Sequence, residues 1–184
     1  MIWPLIFRRS RRAGTIDALY GMIVAQARLP VFYSEYGVPD TLHGRFDLLV
    51  LHLAMVFRRI RAGGGELQPL GQGIFDRFCL DMDENLREMG VGDLTVPKRM
   101  QKLGEAFYGR AQAYDEALAK DDDAVAAAVA RNIYGSERTD EGRPLTTYIR
   151  DTEVHLSHQD NASFASGQIT FPNPASRKVR PNQK

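Results

Sequence analysis

The stretch from residue 74 to residue 110 constrains the fold most, because it holds two apolar stripes of helical period on either side of a short turn. The first stripe recurs at spacings of three and four residues and consists of Phe75, Phe78, Met82, Leu86 and Met89. This spacing predicts a helix with one apolar face. Gly90 follows the last residue of the stripe, where a glycine readily adopts the left-handed conformation that ends a helix.

The residues after Gly90 predict a rigid elbow and a second helix. Gly92 comes two positions later, and Pro97 stands near the expected start of the next helix, where its missing N–H costs little. The second apolar stripe consists of Met100, Leu103, Phe107, Ala111, Tyr114 and Leu118. The sequence therefore predicts a helical hairpin whose turn depends on Gly90, Gly92 and Pro97.

Helical patterns also dominate the rest of the chain. The most apolar segment covers residues 41–61, is apolar nearly all round, and is predicted to lie inside a helical bundle. Other helical segments are expected at residues 15–28, 121–134 and 144–157, and strand signals are weak throughout. We therefore predict an all-α, single-domain bundle. Its parts would be a basic and apolar N-terminal segment, residues 1–14, a helical domain, residues 15–158, and a mobile basic tail, residues 159–184.

Basic residues collect at both ends of the chain. Eight of the 24 basic residues lie in residues 1–14 and 177–184, which contain no acidic residue. The rest of the chain has 16 basic and 23 acidic residues. At the start the relevant side chains are Trp3, Phe7, Arg8, Arg9, Arg11 and Arg12. Such an apolar and basic segment suits contact with anionic lipid or with RNA, while terminal arginines can also serve only to keep the ends soluble.

The outer side of the predicted hairpin is rich in charge, and it has two interpretations. It can be a solvated helix face with ion pairs four residues apart, such as Arg77–Asp81 and Asp83–Arg87. It can also be a recognition surface for another chain. In that second interpretation the first helix contributes Asp81, Asp83, Arg87 and Glu88, and the next helix contributes Lys98 and Arg110.

An aromatic connector between residues 30 and 40 is a second candidate for binding. It contains Phe32, Tyr33 and Tyr36. Such a loop usually packs over the core, but the three rings can also form a groove for an apolar segment of a partner.

Catalytic and metal-binding patterns are weak. His155 and His158 are three residues apart but lack further ligands, and His52, between two leucines, is expected to be a hydrogen-bonded core histidine. Cys79 lies beside an apolar stripe, which makes it a poor nucleophile. We therefore predict a binding protein with no catalytic residue, metal or cofactor.

Several short motifs resemble those of the ubiquinol–cytochrome c chaperone family, in order, over roughly residues 15–135. The motifs in the hairpin are Asp81-Met82-Asp83, Leu86-Arg87-Glu88-Met89-Gly90-Val91-Gly92-Asp93, Val96-Pro97-Lys98 and Phe107-Tyr108-Gly109-Arg110. Those before it are Ala25-Gln26-Ala27-Arg28, Phe32-Tyr33, Gly37-Val38-Pro39-Asp40-Thr41 and Gly44-Arg45-Phe46-Asp47.

This resemblance implies an assembly factor for complex III, ubiquinol–cytochrome c reductase. Members of the family hold newly made cytochrome b near the ribosome exit and the membrane, and mitochondrial members work with a small partner protein. The start of the chain lacks a clear mitochondrial presequence, which favours the cytoplasmic face of a bacterial inner membrane over the mitochondrial matrix side. The alternative is an RNA- or ribosome-binding adaptor that uses the arginine-rich ends.

Overall fold

Helix α3, Leu42–Ala62, lies at the centre of the molecule. In the computed structural model, which describes the backbone of residues 3–176 and the side chains of residues 12–176, every residue from Asp47 to Val56 is buried. The helix begins after Thr41, whose side-chain oxygen accepts a hydrogen bond of 3.1 Å from the backbone N–H of Gly44. The prediction that segment 41–61 forms a helix inside a bundle is therefore confirmed.

The remaining elements surround α3. They are α1 (Trp3–Ala27), α2 (Val31–Ser34), α4 (Gln68–Glu88), α5 (Val96–Leu118), α6 (Asp122–Val129), a π-helical turn (Ala130–Tyr134), α7 (Thr139–Ser157), α8 (Asn161–Ala165) and a 3₁₀ turn (Pro174–Ser176). Helices α1 and α4 pack on each other and on α3, while α5 and α7 also contact α3 and enclose α6. No strand occurs between residues 3 and 176, so the all-α prediction is confirmed.

Two helices begin earlier than the sequence predicts. Helix α1 begins at Trp3 rather than Thr15, because the residues in between include alanine and several arginines, which propagate a helix well. Helix α7 begins at Thr139 rather than at residue 144, with Asp140 and Glu141 in its first turn. Pro144 lies inside this helix rather than at its start, so residues 139–143, which the sequence leaves outside the predicted helices, are helical.

Residues 159–176 pack against the bundle. This corrects the prediction of a mobile tail that begins at residue 159. Phe164 and Ile169 are buried. The hydroxyl of Tyr36 donates a 2.9 Å hydrogen bond to the carbonyl of Pro174, and the amide of Gln159 donates one of 3.0 Å to the carbonyl of Thr170. This segment is anchored by apolar residues that do not recur at a regular spacing. The surrounding polar residues therefore gave no periodic signal for its packing. The basic residues from 177 to 184 lie outside the described part of the chain.

Candidate interaction surface

The predicted elbow is the short turn, residues 89–95, that joins α4 to α5. Gly90 has a φ of 79°, in the left-handed region that favours glycine. The N–H of Val91 reaches back to the carbonyl of Leu86 at 3.0 Å, which satisfies a carbonyl at the end of α4. Pro97 lies in the first turn of α5. Gly92 does not have a positive φ, so the conformational demand in this turn falls on Gly90.

Arg87 braces this elbow from outside. Its Nε donates a hydrogen bond of 2.6 Å to Asp83, and its Nη1 contacts Asp93 beyond the turn. These contacts, led by the hydrogen bond to Asp83, raise the pKa of the Arg87 guanidinium. The predicted Asp83–Arg87 pair is thus present, and Asp93 extends it across the elbow. The group sits at the surface, so it orients the turn more than it stabilises the fold.

Asp81 lies in a groove between α1 and α4. It does not form the ion pair with Arg77 that the sequence suggests. Its carboxylate accepts a hydrogen bond of 2.7 Å from the hydroxyl of Tyr20. Burial, together with this bond to Asp81, raises the pKa of Tyr20 well above its ordinary value. Arg77 instead lies 3.4 Å from Asp17 and places its guanidinium 5.5 Å from the centre of the Tyr20 ring.

The groove has a volume of about 590 Å³ and combines apolar walls with charges of both signs. Leu80 contributes an apolar side chain that is 52% exposed. A Cβ placed on Gly21 would meet no atom within 4 Å, so the wall of α1 is open at this point. The groove is lined by Asp17, Tyr20, Gly21, Val24, Arg28, Arg77, Leu80 and Asp81. This site can accept an apolar side chain while its rim contacts polar or charged groups.

The sequence patterns did not reveal the α1 side of this groove. Tyr20 belongs to the apolar stripe of the first helix, and nothing in the sequence pairs it with Asp81, which is 61 residues away. Asp17 carries no motif at all. Both residues join the groove through the packing of α1 on α4, which are far apart in sequence.

Arg110 makes an internal contact and is therefore not part of the predicted recognition surface. Its Nε lies 2.8 Å from Oδ1 of Asp47, whose side chain is 9% exposed. The two atoms form an ion pair without the alignment of a hydrogen bond. Burial raises the pKa of Asp47, although the charge of Arg110 opposes this shift. Glu88 and Lys98, by contrast, are exposed and form no ion pair with any residue between 12 and 176.

The aromatic connector lies mostly inside the molecule. Phe32 and Tyr36 are buried, and Phe32 packs edge-on against Tyr148 with ring centres 4.9 Å apart. Tyr33 keeps partial exposure and donates a hydrogen bond of 3.0 Å to the carbonyl of Ala27. An open groove formed by Phe32, Tyr33 and Tyr36 is therefore absent from this conformation, and Tyr33 alone of the three reaches the surface.

His52 is the hydrogen-bonded core histidine that the sequence predicts. Its Nδ1 lies 2.8 Å from the carbonyl of Leu48 and its Nε2 lies 2.8 Å from the hydroxyl of Tyr148. Because a carbonyl only accepts, Nδ1 carries the proton and Nε2 accepts from Tyr148. Burial lowers the pKa of His52 to about 4. This histidine is neutral and serves the fold.

The N-terminal candidates are described only in part. Arg12 is exposed and donates a hydrogen bond of 2.8 Å to the carbonyl of Pro69, at the start of α4. The side chains of Trp3, Phe7, Arg8, Arg9 and Arg11 lie outside the described residues.

The described residues contain neither a membrane-spanning helix nor a cluster of metal ligands. Within the described part of the chain, no helix has both the length and the hydropathy needed to cross a membrane. Nor do the side chains there include any group of three or more His, Cys, Asp or Glu residues placed to hold a metal ion.

Comparison with known proteins gives consistent matches. The model of the family described as ubiquinol-cytochrome C chaperone matches residues 34–171. A solved structure described as the Cbp3 homolog from Brucella abortus superposes with a TM-score of 0.84 at 38% identity, covering 95% of this chain and 98% of that one.

Two curated relatives extend this comparison. The chain is 27% identical to ubiquinol-cytochrome-c reductase complex assembly factor 1 of Xenopus laevis over 156 residues, covering 83% of this chain and 78% of that protein. It is 30% identical to the mitochondrial protein CBP3 of Saccharomyces cerevisiae over 161 residues. That match covers 83% of this chain and 48% of the yeast protein, so the chain spans about half the length of that relative.

Proposed function

The chain belongs to the ubiquinol–cytochrome c chaperone family, and we propose that it supports assembly of complex III by holding newly made cytochrome b. One observation carries this proposal. The likeness to the Brucella abortus Cbp3 homolog extends over nearly the whole of both chains, at 38% identity. The frog relative is named as an assembly factor of ubiquinol-cytochrome-c reductase. The proposed action is stoichiometric holding, with no catalytic step and no cofactor.

The groove between α1 and α4 and the adjoining charged face of α4 form the proposed client site. An unfinished membrane protein offers apolar segments and loops with an excess of lysine and arginine on the cytoplasmic side. The apolar wall at Leu80 suits the segments, and the carboxylates of Asp17 and Asp81 suit the loops. Glu88, which no described cation neutralises, adds to this attraction.

The place of action follows from the client. Cytochrome b is inserted into an energy-transducing membrane, so the chaperone works at the cytoplasmic face of a bacterial inner membrane, or on the matrix side if the chain is mitochondrial. The N-terminal segment with Trp3, Phe7 and Arg12 is the proposed peripheral membrane contact. A small partner protein is part of this proposal, because the family resemblance implies one for mitochondrial members.

Deletion of the gene tests the function. We expect loss of assembled complex III and of the b-type haem signal in membranes, with restoration by the wild-type chain. Unchanged complex III levels in the deletion strain would contradict the proposal. Affinity purification during synthesis should recover cytochrome b. Recovery of ribosomes alone, lost at high salt and upon removal of the basic ends, would instead support the RNA- or ribosome-binding alternative, which the charge distribution motivates.

A further inference from the structure

The tip of the elbow exposes apolar side chains that the fold leaves without a partner. Leu94, between α4 and α5, is 99% exposed, and Met89, at the end of α4, is 53% exposed. Val91 lies between them and is partly exposed. A single exposed apolar residue is common, but here three of them lie in the one short turn between α4 and α5.

Cations lie directly beside this tip. Lys98, Arg99 and Lys102, in the first two turns of α5, are all exposed. None of the three forms an ion pair with any residue whose side chain is described. No acidic residue occurs from residue 94 to residue 104.

The acidic groups near the tip are largely occupied. Asp83 and Asp93 both contact Arg87. Glu88 is exposed without an ion pair, and Glu105, one helical turn after Lys102, accepts a hydrogen bond of 3.0 Å from the amide of Gln101. The surface around the start of α5 is therefore positive, and the acids closest to the tip are Glu88, next to Met89, and Asp93, which contacts Arg87.

The turn that carries these residues is held in one shape. Gly90 closes the end of α4, and Arg87 joins the two sides of the elbow through Asp83 and Asp93. A preorganised loop loses little conformational freedom when it enters another phase. This brace makes shallow insertion of the tip easier than insertion of a flexible loop.

We propose that the elbow tip inserts into the interface of an anionic phospholipid bilayer. Leu94 and Met89 reach the boundary of the acyl chains, and Lys98, Arg99 and Lys102 contact the phosphates. Apolar residues beside cations are the pattern of interfacial membrane contacts. RNA fits less well, because phosphate contacts to the cations would leave Leu94 in water. This surface is separate from the N-terminal segment, and its contact with lipid does not depend on the client.

Vesicle flotation of the full chain tests this contact. The vesicles contain phosphatidylcholine with or without phosphatidylglycerol, and the variants are Leu94→Gln and the pair Arg99→Gln with Lys102→Gln. Matched controls are Val154→Gln, at an apolar residue that is 54% exposed on α7, and the pair Lys120→Gln with Arg131→Gln, which removes equal charge from exposed positions elsewhere. All of these variants keep the N-terminal segment.

We expect binding to the anionic vesicles to fall roughly tenfold in each elbow variant and to change little in the controls. Burying a leucine, or placing two cations on an anionic surface, strengthens binding at least tenfold. Vesicles of phosphatidylcholine alone should bind weakly. Equal flotation of elbow variants and controls would overturn the proposal. So would loss of binding to a single-stranded RNA in the Arg99 and Lys102 variant with flotation unchanged, which would assign the patch to RNA.

Discussion

Asp47 on α3 and Arg110 on α5 form a buried ion pair, with 2.8 Å between Oδ1 and Nε. They end two of the motifs that carry the family resemblance, and the ring of Phe46 lies 5.8 Å from the same guanidinium. Two motifs that are far apart in sequence therefore meet in one internal contact. Part of the family pattern thus serves to fix α5 on α3, rather than to recognise a client.

Arg110→Leu should destabilise the protein by roughly 2–4 kcal/mol, because it leaves the carboxylate of Asp47 buried without its partner. Urea unfolding measures the change. In the double variant with Asp47→Leu, much of the loss should be recovered, since neither charge then remains in the interior. If the double variant were less stable than Arg110→Leu, the pair would contribute more than compensation of charge.

Stability should also fall in mild acid because of His52. Its pKa is near 6.5 in the unfolded chain and about 4 in the fold, so the unfolded chain binds more protons between these values. The stability that neutral His52 contributes is fully present above about pH 6.5. It is lost as the pH falls to about 4, which lowers the free energy of unfolding by about 3 kcal/mol. Urea unfolding at several pH values should show this slope in the wild type and in His158→Gln, at an exposed position. The slope should be flatter in His52→Leu, and an equal slope there would assign the acid sensitivity to other groups.

Local patterns predicted the fold better than the site. The apolar period of α3 and the glycine at position 90 each act through neighbours in sequence, and the structure has a buried helix at the first and a positive φ at the second. The partners Tyr20–Asp81 and Asp47–Arg110 join helices that are distant in sequence, and a single sequence carries no sign of such pairing. The packed segment before residue 177 was missed for a related reason, since Phe164 and Ile169 find their contacts on other elements.

Gly90→Val should lower the stability and, if the proposed function holds, the capture of cytochrome b together. A β-branched side chain at a φ of 79° costs about 1–2 kcal/mol, and the elbow would rearrange to avoid it. Gly92→Ala is the control, because that position does not have a positive φ and a Cβ there meets no atom within 4 Å. Equal melting temperatures for Gly90→Val and the wild type would show that the turn is not rigid.

Reversing the charges at the brace separates recognition from stability. Asp83→Lys with Arg87→Glu keeps that pair but leaves Glu at position 87 facing Asp93, so Asp93→Lys is added to keep both contacts. The fold should remain within about 1 kcal/mol of the wild type, since exposed pairs contribute little. Capture of cytochrome b should weaken if the pattern of charge is recognised. Normal complex III levels with the triple variant would make this face a merely solvated one.

Filling the groove between α1 and α4 gives the most direct test of the client site. Gly21→Phe places a ring over the groove from a position where a Cβ meets no atom within 4 Å. The fold should be at least as stable, since phenylalanine has a helix propensity about 0.5 kcal/mol more favourable than that of glycine. Capture of cytochrome b should nevertheless fall, because the ring occupies the space beside Tyr20 and Leu80. Gly104→Phe, on α5 and equally free of close neighbours, is the matched control. Capture that falls equally in both variants, or in neither, would place the client site elsewhere on the chain.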